Sequence, residues 1–205
     1  YHNIMFALVE SGSITKMLNG NRGITIDGIQ HPRAIYTLWT EAERNAIGIY
    51  EVTIDTSKKK DEKWYTNTNI TYSFGSGKVT GSYGDATAKP HADTLYTSQD
   101  ETDGLGTEGD VKVEGLKTKL IRTVKSQAAG ILTKTDWYVI RKTEEDTAIP
   151  SAITTHRRAV RSKQAAMETS ITNASDTPAL ETLYTYTEQE DGSVTRPLGE
   201  LPTLE

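Results

Sequence analysis

Few residues in this chain stand at the spacings that phosphate-binding chemistry requires. The stretch GSGK, residues 75–78, looks like the end of a phosphate-binding loop. That loop needs a glycine five positions before Gly77, where Tyr72 stands, and a hydroxyl after the lysine, where Val79 stands. We therefore interpret GSG as the turn of a β-hairpin.

The sequence gives no better support for a metal site or for a catalytic nucleophile. No two histidines stand four residues apart, as ligands on one face of a helix would; the histidines are His2, His31, His91 and His156. An acidic cluster lacks the spacing of a calcium-binding loop and is interpreted as a solvated linker; it comprises Asp100, Glu101, Asp103, Glu108 and Asp110. No serine lies in a nucleophile elbow. The sequence thus predicts no catalytic, cofactor-binding or metal-binding residue, and we expect a protein that is not an enzyme.

Composition limits the remaining classes. The 205 residues carry a net charge of −5 and no cysteine, which argues against nucleic acid as a partner and excludes thiolate sites. No apolar run approaches the roughly 20 residues that span a bilayer, so we expect a soluble protein with no membrane partner. The hydrophobic fraction of 35% is low for one deep core and favours burial completed on partner subunits. Met5 is a candidate start, which leaves open whether Tyr1–Ile4 belong to the natural protein.

The pattern changes along the chain from strands to helices, which predicts an α+β protein. Residues 1–108 are expected to form a β-rich domain with turns near Gly12 and 75–77. In that half Thr40 and Glu43 predict a capping box for one short helix, and residues 49–54 alternate as a strand. The glycine-rich acidic stretch 97–110 marks the predicted boundary. A small helical domain over 109–188 and an extended tail over 189–205 follow.

Four helices are predicted in the second half. An apolar stripe with spacings of three and four residues predicts the longest helix near 111–132, with Asp110 as its N-cap. A second short helix should follow Thr135. A third should begin at Pro150 or Ser151 and end at Asn173, with one apolar face made of Ile153, Val160, Met167 and Ile171. Thr177 is the predicted N-cap of a fourth, with Pro178 at its first position and Leu180, Leu183 and Tyr184 buried.

The stretch TKTDWYVIRKTEED, residues 133–146, gathers aromatic and β-branched residues in a polar chain. On a helix beginning at Asp136, Trp137 and Ile140 share one side. We therefore predict that Trp137 is buried against Leu120, Val124 or Val160, and that it anchors the core. The predicted core anchors are Trp137, Ile140, Leu120 and Val160.

Two groups of residues are candidates for partner contacts. The first is Arg157, Arg158 and Arg161, which either pair with Glu144, Glu145 or Glu168 and face water, or contact an acidic surface of another subunit. The second is Leu198, Leu201 and Leu204 in the proline-punctuated end of the chain. An extended segment cannot bury these leucines by itself. Both the protein's own helices and a neighbouring subunit remain open as the surface that covers them.

Several stretches resemble proteins of tailed bacteriophages. TDWYVIRK followed by AIPSAITTHRRAVR resembles a "TDW…R … P…(Y/H)R…R" module of tail-fibre assembly and related tail proteins. The matching residues are Asp136, Trp137, Arg141, Pro150, His156, Arg157 and Arg161. His156 stands where that module usually has an aromatic residue. LWTEAERNAIGIYEV, 38–52, is similar to the N-terminal part of the same group, and RPLGELP, 196–202, resembles the C-termini of marine phage tail proteins.

The resemblance carries expectations about function. It implies a structural protein of the virion, in the tail, the fibre-attachment region or the neck, made in the bacterial host cytoplasm. Expected partners are other virion proteins and copies of itself, and no nucleic acid. The alternative is a chaperone of tail or tail-fibre assembly that does not remain in the mature virion. A wall- or polysaccharide-degrading hydrolase has no support in the sequence.

Overall fold

A computed structural model describes residues 4–204 of the chain. The chain divides into two compact units, Tyr1–Thr87 and Ala88–Glu205. Strands dominate the first and helices the second, which makes this an α+β protein, as predicted.

The elements of the first unit are short. Its strands are β1 (Phe6–Glu10), β2 (Ser13–Leu18), β3 (Ile24–Ile26), β4 (Ile29–His31), β5 (Ile49–Asp55), β6 (Tyr65–Thr66), β7 (Thr71–Gly75) and β8 (Lys78–Ser82). Its helices are α1 (Ile35–Leu38) and α2 (Glu41–Ala46), and β9 (Thr87–Ala88) lies at the boundary between the units. The five-stranded sheet has the order β2-β1-β5-β8-β7, and in it β5 and β8 are parallel whereas the other neighbours are antiparallel.

Three two-residue turns close the hairpins of this unit. They are Ser11–Gly12, Asp27–Gly28 and Ser76–Gly77, and all six residues have φ between 49° and 78°. Positive φ at both central residues is the type I′ geometry, whose twist matches that of the flanking strands. The hairpin predicted at residues 75–77 is therefore confirmed, as is the turn near Gly12.

The predicted capping box sets the start of α2. The Thr40 hydroxyl accepts from the Glu43 backbone N–H at 3.3 Å, and the Glu43 carboxylate accepts from the Thr40 N–H at 2.8 Å. Gly48 follows the helix with φ +88°, and a Cβ there would lie 2.5 Å from the Val9 carbonyl oxygen. The chain then enters β5, which confirms the predicted strand. The core beside it contains Phe6, Leu8, Leu18, Ile24, Ile26, Ile35, Tyr36 and Ile49.

The second unit is built mainly of helices. It contains β10 (Thr94–Leu95), α3 (Ser98–Thr102), β11 (Val111–Val113), α4 (Leu116–Thr133), α5 (Asp136–Glu145), α6 (Ser151–Asn173), α7 (Thr177–Tyr184), β12 (Thr187–Glu188) and β13 (Val194–Thr195). The helices over 136–145 and 151–173 confirm the predicted second and third helices.

The acidic stretch 97–110 is not a linker between the units, so the prediction of a boundary at 108/109 is corrected to 87/88. β10 pairs with β11 across this stretch, and α3 lies between them. Asp100 caps α3 through the Thr97 N–H at 2.9 Å and pairs with Lys112 at 2.7 Å. The hydrogen bond from Lys112, together with those from Thr97, lowers the pKa of Asp100 to about 2. In this stretch Asp100 therefore caps a helix and forms an ion pair, instead of only facing water.

α4 and α6 form the core of the second unit. Leu116, Leu120, Val124 and Ala128 of α4 are buried, as are Ile153, His156, Val160, Met167 and Ile171 of α6. Leu120 and Val160 are therefore confirmed as core residues. The prediction that the longest helix spans 111–132 is wrong: β11 occupies 111–113, α4 begins after Gly115 rather than Asp110, and α6 is longer. The apolar residues of 111–113 continue the helical spacing of α4, but these residues form a strand because they pair with β10.

α7 begins one residue from its predicted position. Asp176, rather than Thr177, is the N-cap, because its carboxylate accepts from the Ala179 N–H at 2.8 Å. Thr177 is instead buried, with its hydroxyl 2.9 Å from Nε2 of His91. Pro178 is therefore the second residue of the helix rather than the first, and Leu180 is buried.

The C-terminal segment is not the extended tail predicted over 189–205. β12 and β13 form a hairpin, and the chain then turns so that Leu198 is 2% exposed and donates its N–H to the Leu183 carbonyl at 3.0 Å. The Arg196 guanidinium lies 5.2 Å from the ring centres of both Tyr184 and Tyr186. The prediction that Leu198 contacts a partner is therefore wrong, because this leucine is buried in its own unit.

Candidate protein-binding surface

Polar contacts of Arg157 fix the start of α5. Its guanidinium donates to the Leu132 carbonyl and the Thr135 hydroxyl, both at 2.8 Å, and pairs with Asp136 at 2.9 Å. Thr135 is itself buried and donates to the Leu132 carbonyl at 3.1 Å. One side chain of α6 thus joins the end of α4 to the beginning of α5. Arg157 is a structural residue, so its predicted partner contact and its predicted glutamate pairing are both wrong.

Replacing Arg157 by alanine should lower the free energy of unfolding by about 2–4 kcal/mol, because the Leu132 carbonyl and the Thr135 hydroxyl lose their charged donor. Arg158 is the matched control. Its side chain is exposed, so Arg158→Ala should change stability by no more than about 0.5 kcal/mol. Urea unfolding of both variants measures the difference. Equal stabilities of the two variants would contradict this role of Arg157.

α5 buries none of its residues. Trp137 is 49% exposed and Ile140 is 55% exposed, so the prediction that they anchor the core is wrong. The cause lies in the attachment of the helix, since Thr135 and the Asp136–Arg157 pair hold it by polar contacts. The helix therefore does not turn its apolar side inward. Trp137 and Ile140 stand three residues apart and Arg141 four after Trp137, so these three side chains share one side of α5.

The aromatic residues of α5 are stacked and covered by a cation. The rings of Trp137 and Tyr138 stack with centres 3.8 Å apart. The Arg141 guanidinium lies 4.8 Å from the Trp137 ring centre and 5.5 Å from that of Tyr138. The Nε atom of Arg141 is sealed from solvent without a hydrogen bond. These contacts hold the side chains of Trp137, Tyr138 and Arg141 in place before any partner arrives. We call these three residues, together with Ile140, the α5 surface.

A small cavity of about 260 Å³ adjoins this surface. It is lined by Ile131, Lys134, Thr135, Trp137, Tyr138, His156, Thr203 and Leu204. His156 is 7% exposed, and its ring has no hydrogen bond to any described residue. Lys134 is exposed, and among residues 4–204 no carboxylate lines the cavity. The cavity is smaller than the roughly 300–1,000 Å³ of most small-molecule sites, and its size suits a single side chain.

The other residues predicted to contact a partner lie at different places in the structure. Leu204 lines the cavity, and Leu201 lines a neighbouring groove that shares Ile131 and Lys134. Arg158 and Arg161 are exposed and have no ion pair with any residue in the part of the chain that the structure describes, so they remain candidates for partner contacts. Sequence reasoning missed Tyr138 and Lys134. The sequence did contain a signal for Tyr138, since Arg141 stands four residues after Trp137 and can cover both aromatic rings on a helix.

Among residues 4–204 no three His, Cys, Asp or Glu side chains come together as metal ligands. In the same range no helix is both long and apolar enough to cross a bilayer. Searches with protein-family models, curated proteins and solved structures find no match to this chain. The physical character of the α5 surface therefore carries the functional argument.

Proposed function

We propose that this protein is a non-enzymatic structural component of a tailed-phage virion and that it binds a neighbouring protein through the α5 surface. One observation supports the binding role most strongly: Trp137, 49% exposed, is held in a preformed stack with Tyr138 and Arg141 on a helix that buries none of its residues. Tryptophan, tyrosine and arginine are the residues most enriched among those that dominate binding energy at protein interfaces.

The rigidity of the stack favours affinity. Side chains that become ordered only on binding cost roughly 0.5–1.5 kcal/mol each. The stacked rings and the enclosed Arg141 have lost much of that freedom already. The adjoining cavity, with Lys134 and His156 at its wall, can then receive one side chain of the partner.

The assignment to a virion rests on the resemblance of TDWYVIRK and AIPSAITTHRRAVR to tail-protein modules. The low hydrophobic fraction is consistent with a chain that completes its burial on neighbours. An exposed aromatic surface would serve equally in an assembly chaperone that binds tail or fibre subunits and then leaves. The two functions differ in one respect, which is whether the protein remains in the finished particle.

Quantitative mass spectrometry of purified particles tests the proposal, with lysate taken during assembly as the reference. A structural component should be present in several copies per particle. Presence in the lysate together with absence from the particles would reject the structural role. If the protein is instead an assembly chaperone, deleting its gene should lower the yield of complete tails. An unchanged yield would reject that function too.

A further inference from the structure

The first unit contains a cleft that the proposed function does not use. Its volume is about 630 Å³, which lies in the range of small-molecule sites. Its lining is Met5, Leu8, Lys16, Met17, Leu18, Asn19, Gly20, Arg22, Gly23, Ile24, Thr25 and Tyr36. Leucine, isoleucine and methionine make up much of this wall, and the two methionines can adjust to ligands of different shape.

Tyr36 gives this cleft a hydroxyl group on a side chain that is mostly buried. The side chain is 8% exposed, and its hydroxyl makes no hydrogen bond to any described residue. The hydroxyl is not sealed from solvent, so a ligand in the cleft can reach it. Burial raises the pKa of the Tyr36 hydroxyl, so near neutral pH it stays protonated and can donate a hydrogen bond.

The charged groups of the cleft have a single sign. Lys16 and Arg22 belong to the lining, both are exposed, and neither has an ion pair with any residue in the described part of the chain. Within residues 4–204 no aspartate or glutamate lines the cleft. An apolar wall, one buried donor and two unpaired cations match a ligand with an apolar body and an acidic end.

We propose that this cleft binds a small amphipathic anion, with its apolar part against Leu18 and Ile24 and its acidic group within reach of Lys16, Arg22 and the Tyr36 hydroxyl. The site lies in the first unit and does not depend on the α5 surface or on the virion assignment. The ligand class is a chain or ring that carries one carboxylate, sulfonate or phosphate group.

Octanoate and octanol, which share a chain length and differ in charge, are the probes. The measurement follows the methyl NMR signals of Met17 and Ile24 in the full chain during titration. Octanoate should shift them saturably, and octanol should bind at least about tenfold more weakly, since it lacks the charge that the cations recognise. No saturable shift with octanoate, or equal binding of the two probes, would overturn the proposal.

Variants assign the effect to named groups. Neutralising both cations, Lys16→Gln with Arg22→Gln, should weaken octanoate about tenfold and leave octanol unchanged, and Tyr36→Phe should weaken octanoate several-fold. Thr25→Trp should fill the cleft and abolish binding, whereas Ser73→Trp, on exposed β7 outside the lining, should not. If Thr25→Trp does not fold, the surface double variant still decides: unchanged octanoate affinity there would reject the site.

Discussion

Replacing Trp137 and Ile140 together by serine should reduce incorporation into particles at least tenfold while the protein stays folded. When the variant and the wild type are expressed at equal levels, mass spectrometry of purified particles gives their ratio. Loss of an interface tryptophan alone often costs roughly 2 kcal/mol or more, which is about a thirtyfold loss in affinity. Both side chains are about half exposed, so the free energy of unfolding should fall by only about 1 kcal/mol.

Leu105 supplies the matched control for this experiment. It is an aliphatic residue of the same unit and is 59% exposed, close to the exposure of Ile140. Leu105→Ser should enter particles at the wild-type ratio. If the double variant competes as well as Leu105→Ser does, the α5 surface is not the binding surface.

Leu198→Ala should lower the free energy of unfolding of the isolated protein by about 2–5 kcal/mol, because it leaves a cavity beneath the C-terminal segment. Leu198 is 2% exposed and its backbone is tied to Leu183. The matched variant is Leu204→Ala, six residues later. Leu204 is 49% exposed, so its loss should change stability by less than about 1 kcal/mol. Denaturant unfolding of the two variants gives the comparison.

The outcome for Leu198 also separates the two surfaces left open by the sequence. A large loss of stability in the monomer means that the protein's own helices cover this leucine. A normally stable Leu198→Ala monomer would contradict the burial and would return the C-terminal segment to the status of a partner-binding arm.

Local signals in the sequence predicted many elements of this fold. The Thr40 capping box, the Ser76–Gly77 turn and the end of α6 at Asn173 each depend on residues close together in the chain, and each was predicted correctly. The apolar face of α6 was also predicted, because Ile153, Val160, Met167 and Ile171 repeat at helical spacing over a long helix.

Features that depend on distant contacts were missed. Residues 111–113 have apolar residues at helical spacing but pair with β10, and in the acidic stretch before them Asp100 binds the distant Lys112. The orientation of α5 depends on Arg157, which lies 21 residues after Asp136 and reaches back to it. No pattern within a ten-residue helix could show that its tryptophan faces outward. The sequence drew attention to the stretch 133–146 but assigned Trp137 and Ile140 to the core, so the candidate surface itself was not predicted.

Photo-cross-linking from position 140 shows whether the α5 surface contacts a neighbouring protein in the particle. A photoreactive amino acid replaces Ile140, particles that contain the variant are purified and irradiated, and mass spectrometry identifies the adducts. The same substitution at position 105 provides the background. If the α5 surface binds a neighbour, position 140 should give an adduct to one defined protein of the particle, well above the background from position 105. Particles that contain the variant but yield no adduct from position 140 above that background would contradict it.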